Sequence, residues 1–155
     1  KMTELLVSHT KSRGKVFKNI LEIGSGCGYQ SAVLSFFSEE VHAIERIKPL
    51  VQKSRENLSK LKINNVLVKH GDGYQDWEKE KKYDGIICAA APREYPNDLI
   101  SVLNNNAKLV IPVGGTTQKL NMITKINKDE IKEEEFDDVS FVPMLAGKSE
   151  DGNDV

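Results

Sequence analysis

ILEIGSGCGYQ is the sequence of residues 20–30. In this stretch, an apolar strand pattern that ends near Glu22 is followed by glycines at 24, 26 and 28, and this combination indicates the fold. Glycines at a strand end let the backbone lie against a ligand where a Cβ would collide. Tyr29 stands where the dinucleotide motif GxGxxG has its third glycine, so the loop reads GxGxG. Glu22, two residues before the first glycine, suits an ammonium or amide group better than a pyrophosphate. The pattern therefore favours S-adenosylmethionine as the ligand.

A second predicted strand, Val41–Glu45, supports a ligand site at this loop. Its last residue, Glu45, follows Gly24 by 21 residues, and an acidic side chain at the end of the second strand holds ribose hydroxyls in α/β nucleotide-binding folds. Taken alone, the glycine loop also fits a turn without a ligand, and Glu45 also fits a charge at a helix start. The spacing favours the ribose interpretation.

The size and charge of the chain restrict its function. Its 155 residues and 17.3 kDa suit one domain, and 22 basic against 23 acidic residues give a net charge of −1. No general positive field therefore attracts nucleic acid or an anionic membrane. No apolar run approaches the roughly 20 residues of a membrane span, and no signal peptide is visible. We expect neither nucleic acid nor a membrane as partner.

The two cysteines, Cys27 and Cys88, lie far apart and lack the spacing of a metal site. They suit free thiols in a reducing compartment, and the expected location is the cytoplasm. His9, His42 and His70 share no catalytic motif, so we expect structural or exposed roles for them and no metal.

Strand and helix patterns alternate along the first 113 residues, which indicates a parallel sheet with helices on both faces. The predicted strands are Val16–Ile23, Val41–Glu45, Val66–Lys69, Lys82–Ala90 and Ala107–Val113. The predicted helices are Lys1–Val7, Gln30–Phe37, Pro49–Leu61 and Pro96–Leu103.

The C-terminal part has a different pattern, in which Leu120–Ile126 alternates as an antiparallel strand does and Glu130–Val142 is an acidic candidate for a strand pair. The fold class is thus α/β, with a doubly wound, mostly parallel sheet and antiparallel C-terminal strands. Residues 1–146 are expected to form a single domain, and residues 147–155 a polar, disordered tail.

Four clusters follow the ends of the first four strands, and such strand ends meet at one edge of the sheet. They are Glu22–Gly28, Glu45 with Arg46, His70–Gly73 and Ala89–Pro92. A carboxylate at Asp72 would there meet an adenine amino group, although Asp72 also fits an Asx turn that caps the next segment.

Several motifs together resemble the protein-L-isoaspartate (D-aspartate) O-methyltransferase family over roughly residues 2–146. They are LEIGSGCGYQSAVLS, VHAIERIKPL, NVLVKHGDGYQDW, YDGIICAAAPREYP, LVIPVGG and FVPML. Many methyltransferases share the glycine loop, whereas ERIKPL, HGDGYQDW, the Ala-Pro loop and FVPML are more specific. The resemblance lacks the family's N-terminal segment, which carries a Ser-Gln-Pro motif.

The resemblance implies a Rossmann-like S-adenosylmethionine-dependent methyltransferase fold and specific site residues. The cofactor would be bound by Glu22, Gly24, Ser25, Gly26, Gly28, Glu45, Arg46, Asp72 and Gly73, and the peptide substrate by Ala90, Ala91 and Pro92. The family usually has threonine where Ala89 stands. Its active-site serine lies in the Ser-Gln-Pro motif upstream of residue 1, so the resemblance assigns no catalytic residue within this chain.

The implied activity is transfer of methyl from S-adenosylmethionine to the free carboxylate of L-isoaspartyl and D-aspartyl residues in damaged proteins, with S-adenosylhomocysteine as the product. A carboxylate is already deprotonated at neutral pH, so the lack of a His/Asp pair does not count against this reaction. The alternatives are a truncated fragment that binds the cofactor without catalysis and a methyltransferase of another class. The latter is disfavoured, because AAAPREYP stands where base methyltransferases commonly have an Asn/Asp-Pro-Pro-aromatic loop.

Overall fold

The computed structural model describes residues 1–8 and 15–153, which form a seven-stranded sheet with short helices on its faces. His9 lies outside the described residues. Within them, no helix is long and apolar enough to cross a membrane.

Elements alternate along the chain much as the sequence predicts. The strands are β1 Phe17–Ile23, β2 Ser38–Glu45, β3 Val66–His70, β4 Tyr83–Cys88, β5 Leu103–Gly114, β6 Gln118–Lys125 and β7 Ile131–Val139. The helices are α1 Met2–Val7, α2 Tyr29–Leu34, α3 Lys48–Lys60 and α4 Asn97–Ser101.

The strand order is β3-β2-β1-β4-β5-β6-β7. β1 pairs in parallel with both β2 and β4, so the chain reverses its direction of winding at β1. The β5–β6 and β6–β7 pairs are antiparallel. A doubly wound, mostly parallel sheet with antiparallel C-terminal strands is therefore confirmed, and its switch point lies between the carboxyl ends of β1 and β4, where such folds bind ligands.

Alternation along β1 sends neighbouring side chains to opposite faces of the sheet. Ile20 packs with Met2, Leu6 and Leu34 of the first two helices, whereas Leu21 packs with Tyr83 and other residues on the face of α4. Each fully buried side chain of this size contributes roughly 1.5–3 kcal/mol by leaving water. The core therefore fixes β1, and with it the glycine loop, from both sides.

The segment after β6 differs from the predicted strand pair. Glu130–Val142 contains one strand, β7, which pairs with β6 and forms the edge of the sheet. Most of its acidic side chains are exposed, while Phe136 packs against the core. Val139 packs there as well, and the exposed charges of the strand protect this edge of the sheet from further pairing.

The segment from residue 147, for which the sequence predicts a disordered tail, makes backbone hydrogen bonds with residues 46 and 48. Ser149 is buried, its N–H donates to the Arg46 carbonyl (2.7 Å), and its own carbonyl accepts from the Lys48 N–H (2.9 Å). Composition predicted a solvated end, but these backbone hydrogen bonds carry no signature in the sequence. The tail instead continues across the carboxyl end of β2.

Candidate functional site

A space of about 470 Å³, here called the inner cavity, lies beyond the carboxyl ends of β1, β2 and β4. Its size is within the range of pockets that hold small ligands and cofactors. Six of the residues predicted from the sequence line it: Gly24, Gly26, Glu45, Arg46, Gly73 and Ala90.

The glycine loop forms one wall of the inner cavity. Gly26 has a φ of +54°, in the left-handed region that favours glycine, and a Cβ there would meet no protein atom within 4 Å. The N–H of Gly26 donates to the Glu45 carboxylate at 3.0 Å. The loop therefore presents bare backbone to the cavity and is held in place by β2.

Glu45 connects this loop to the end of β2. One of its carboxylate oxygens accepts from Gly26, and the other accepts from the Ile47 N–H at 3.1 Å. The residue is only 6% exposed, and it lines the cavity. Each carboxylate oxygen has a further lone pair, so Glu45 can also accept hydrogen bonds from ligand hydroxyls.

Glu22 lies beneath the glycine loop and does not line the inner cavity. It is fully buried, and Ser31 of α2 donates a hydrogen bond from its Oγ to one carboxyl oxygen of Glu22. Burial raises the pKa of Glu22 to about 7, with a smaller contribution from the nearby charge of Glu45. Glu22 therefore contacts α2, and its pKa lies well above the usual value for a carboxyl group.

Ser25 and Gly28 contact α3 instead of the cavity. The Ser25 Oγ lies 3.2 Å from the Ser54 Oγ, and a Cβ at Gly28 would lie 3.3 Å from the Ser54 backbone. Ser54 in turn donates to the Gly26 carbonyl at 2.7 Å. These residues therefore shape the loop by close packing on α3, and a direct ligand contact from Ser25 or Gly28 remains a prediction.

Asp72 forms an Asx turn, which the sequence allows as the alternative to a contact with adenine. Its Oδ1 accepts from the Tyr74 N–H at 2.8 Å, and its Oδ2 accepts from the Gly147 N–H at 2.9 Å. Only its neighbour Gly73 lines the inner cavity. Contact between Asp72 and an adenine ring remains a prediction.

The loop after β4 lies between the inner cavity and a second, wider space. Ala89 donates its N–H to the Ile23 carbonyl at 2.8 Å, which keeps the loop beside β1. Ala90 lines the inner cavity, whereas Ala91 and Pro92 line an open groove of about 1,200 Å³, here called the outer cleft.

Residues 141–149, here called the strap, cross the carboxyl ends of the strands. The Ala91 N–H donates to the Val142 carbonyl (2.8 Å), and the Met144 N–H donates to the Ala91 carbonyl (2.9 Å). The Tyr74 hydroxyl donates to the Met144 carbonyl at 2.9 Å. Pro143, Met144 and Leu145 line both the inner cavity and the outer cleft, so the strap is the wall that the two spaces share.

The far end of the strap is fastened beside β2. Arg46 donates from Nε to the Gly147 carbonyl at 3.2 Å, and His70 Nε2 lies 2.9 Å from the Arg46 carbonyl and 3.2 Å from the Ser149 carbonyl. Both of these are acceptors, so Nε2 of His70 carries the proton. Sequence reasoning missed the strap, although FVPML was a signal for it as a family motif.

The chemistry of the site is one of positioning. Of the described residues that line the inner cavity, only Glu45 and Arg46 are ionisable. Cys88 at the end of β4 is buried, and burial raises the pKa of its thiol to about 12, so it stays protonated and unreactive. The arrangement suits a reaction in which the cofactor is the electrophile and the acceptor needs no base.

Several solved structures that resemble this chain are described as methyltransferases. One is described as a protein-L-isoaspartate O-methyltransferase of Plasmodium falciparum in complex with S-adenosyl-L-homocysteine. It is 34% identical with a TM-score of 0.69, over 83% of this chain and 66% of that one. Another protein-L-isoaspartate O-methyltransferase matches with a TM-score of 0.78 at 23% identity and supports the fold.

Comparison of sequences extends the likeness. A protein-L-isoaspartate O-methyltransferase of Aliivibrio fischeri is 45% identical over 148 residues, which are 96% of this chain and 68% of the relative. The chain thus spans about two thirds of the length of its relatives. The family model of protein-L-isoaspartate(D-aspartate) O-methyltransferase matches residues 2–149. The chain therefore belongs to the protein-L-isoaspartate(D-aspartate) O-methyltransferase family.

Proposed function

We propose that this chain binds S-adenosylmethionine in the inner cavity and transfers its methyl group to the free carboxylate of L-isoaspartyl and D-aspartyl residues in damaged proteins. The observation that carries the proposal is the wall shared by the two spaces. A small cavity suited to a cofactor and a wide cleft suited to a peptide meet at Pro143–Leu145 and at the Ala90–Ala91 loop.

The residues of the inner cavity fit this cofactor. Glu45 offers carboxylate oxygens to the ribose hydroxyls, and the bare backbone at Gly24 and Gly26 admits the methionine part of the ligand. Gly73 lies on the side where the adenine is expected. Apolar groups such as Ile44 and Leu50 provide the remaining lining, as a purine ring requires.

When bound, the cofactor supplies a methyl group on a positively charged sulfur. The acceptor carboxylate is deprotonated at neutral pH, so no side chain has to remove a proton. The protein holds the acceptor oxygen in line with the methyl and excludes water, work that is worth on the order of 7–11 kcal/mol in well-oriented reactions. The strap and the Ala89–Pro92 loop are the parts of this chain placed to do so.

The outer cleft is the proposed site of the damaged protein segment. Ala91 and Pro92, from the loop after β4, line it together with Arg93 and Tyr95. An open cleft admits a segment of a larger protein, which an enclosed pocket would not. The free state of Cys27 and Cys88 is consistent with action in the cytoplasm, a reducing compartment.

Methyl transfer to matched peptides tests this function. The chain is incubated with S-adenosylmethionine labelled on the methyl group and with either of two synthetic peptides, identical except for one L-isoaspartyl or one ordinary aspartyl residue. We expect base-labile label on the isoaspartyl peptide alone, because a methyl ester is hydrolysed by base.

Two other outcomes would contradict the proposal in different ways. Label on both peptides would show a carboxyl methyltransferase without the proposed specificity. Label on neither, together with measurable binding of S-adenosylhomocysteine, would support a chain that binds the cofactor without catalysis.

A further inference from the structure

Gln118 is a buried amide at the start of β6, on the wall of the outer cleft. Its Nε2 donates to the Phe141 carbonyl at 3.0 Å, and its Oε1 accepts from the Phe141 N–H at 2.8 Å. Nε2 also lies 3.3 Å from the Gly115 carbonyl, to which it donates. One side chain therefore holds both backbone groups of Phe141, the first residue of the strap.

The geometry allows only one orientation of this amide. Nε2 faces two carbonyl oxygens and Oε1 faces an N–H group, so a flipped amide would place its oxygen against two acceptors. The backbone of Gln118 pairs with Val139, the last residue of β7. The side chain therefore prolongs the β6–β7 pairing by two residues and delivers the chain into the strap.

The strap has different anchors on its two sides. Gln118 holds the end that lines the outer cleft, whereas Asp72, Arg46 and Lys48 hold residues 147–149 beside the inner cavity. Between them, Ala91 holds Val142 and Met144. Loss of the Gln118 anchor would release the backbone of Phe141, whose side chain still packs against the core, and would leave the hydrogen bonds beside the inner cavity in place.

We infer that Gln118 is a positioning residue that sets the position of the strap for the acceptor peptide but not for the cofactor. This inference rests on the proposed function, because it assigns the outer cleft to the peptide. The amide acts through Phe141, because its removal deletes both hydrogen bonds that hold the backbone of that residue.

Equilibrium binding tests the inference without the need for turnover. The dissociation constant of the isoaspartyl peptide is measured by calorimetry on protein saturated with S-adenosylhomocysteine, and that of S-adenosylhomocysteine is measured separately. Gln118→Met keeps the length of the side chain and removes its three hydrogen bonds, the two to Phe141 and the one to Gly115. We expect it to raise the peptide dissociation constant about tenfold and that of S-adenosylhomocysteine less than about twofold.

Asn65→Leu is the matched control. Asn65 is also an amide that donates to two carbonyls, those of Ser35 and Ser38, each at 3.0 Å, but it lies at the opposite edge of the sheet. We expect it to change neither dissociation constant beyond twofold. Gln118→Glu, which keeps an acceptor for the Phe141 N–H but sets a carboxylate against two carbonyls, should weaken peptide binding at least as much as Gln118→Met.

Each outcome has a distinct meaning. Equal effects of Gln118→Met on peptide and cofactor, or equal effects of Gln118→Met and Asn65→Leu on the peptide, would overturn the inference in favour of general destabilisation. Peptide binding unchanged in Gln118→Met would also overturn it. If the unsubstituted chain binds S-adenosylhomocysteine but no isoaspartyl peptide, the proposed function fails, and the inference fails with it.

Discussion

At the scale of single residues, Glu22 shows how burial changes the chemistry of a motif residue. Burial raises its pKa from 4.5 to about 7, while the hydrogen bond from Ser31 opposes part of this shift. Between these two pH values the folded protein binds a proton that the unfolded chain has lost. The stabilisation from Glu22 is therefore complete below about pH 4.5 and is lost as the pH rises to about 7.

Glu22→Gln tests this linkage, because glutamine resembles the protonated carboxyl at every pH. Urea unfolding measured across this range should show the variant gaining stability relative to the unsubstituted protein as the pH rises, by up to about 3 kcal/mol above pH 7. The readout is how the difference in free energy of unfolding between the two proteins changes with pH. A packing cost that is the same at every pH does not affect this change. Glu39→Gln, an exposed position on β2, should show no such change; a flat difference for Glu22→Gln would refute the raised pKa.

Gly73 is required by close packing at the cavity wall. A Cβ there would lie 2.5 Å from the Ile23 Cγ2 and 3.2 Å from the Met144 Cε. Gly73→Ala should therefore lower the free energy of unfolding by about 1–3 kcal/mol, as overpacking does. Gly115→Ala meets no atom within 4 Å and should stay within about 0.5 kcal/mol. Equal unfolding midpoints in urea for the two variants would contradict this account.

Sequence predicted the site residues whose roles follow from local spacing and not those whose partners are distant. Gly24, Gly26 and Glu45 line the inner cavity because strand ends meet at one edge of the sheet. The contact of Gly28 with Ser54 and that of Asp72 with Gly147 join parts of the chain that no local pattern relates. The sequence alone does not show these structural partners, and contact of Gly28 and Asp72 with the ligand stays a prediction.

At the scale of elements, the strap converts a sheet edge into two adjoining spaces. It has no regular secondary structure, and its backbone hydrogen bonds go to Ala91, Arg46 and Lys48. Periodicity cannot predict such a segment, because its shape depends on partners from several strands. Strands β1 to β6, which carry clear apolar patterns, were predicted with shifts only at their ends.

The backbone hydrogen bonds of Ser149 should hold the strap closed over the inner cavity. Removal of residues 148–155 deletes these bonds and should speed the dissociation of S-adenosylhomocysteine several-fold, measured by stopped-flow displacement. Glu150→Gln removes only the exposed ion pair with Lys48 (2.7 Å), and such pairs contribute about 0–1 kcal/mol. A truncated chain that releases the ligand no faster than Glu150→Gln would show that Ser149 does not hold the strap.

At the scale of the whole molecule, the fold places the inner cavity and the outer cleft on either side of the strap. The fold class could be predicted from the sequence because strand and helix patterns alternate and the glycine loop marks the switch point. The sequence could not predict that β7 is a single edge strand or that residues 147–153 follow the end of β2, since both features depend on long-range pairing. We propose the inner cavity as the cofactor site.

Calorimetric titration of S-adenosylhomocysteine into three proteins tests whether the inner cavity is the cofactor site. We predict that the unsubstituted chain binds the ligand, that Glu45→Gln weakens binding about tenfold or more through loss of charge-assisted hydrogen bonds to the ribose, and that Glu39→Gln leaves it unchanged. Failure of the unsubstituted chain to bind, or equal affinities of the Glu45→Gln and Glu39→Gln proteins, would contradict the assignment of the inner cavity.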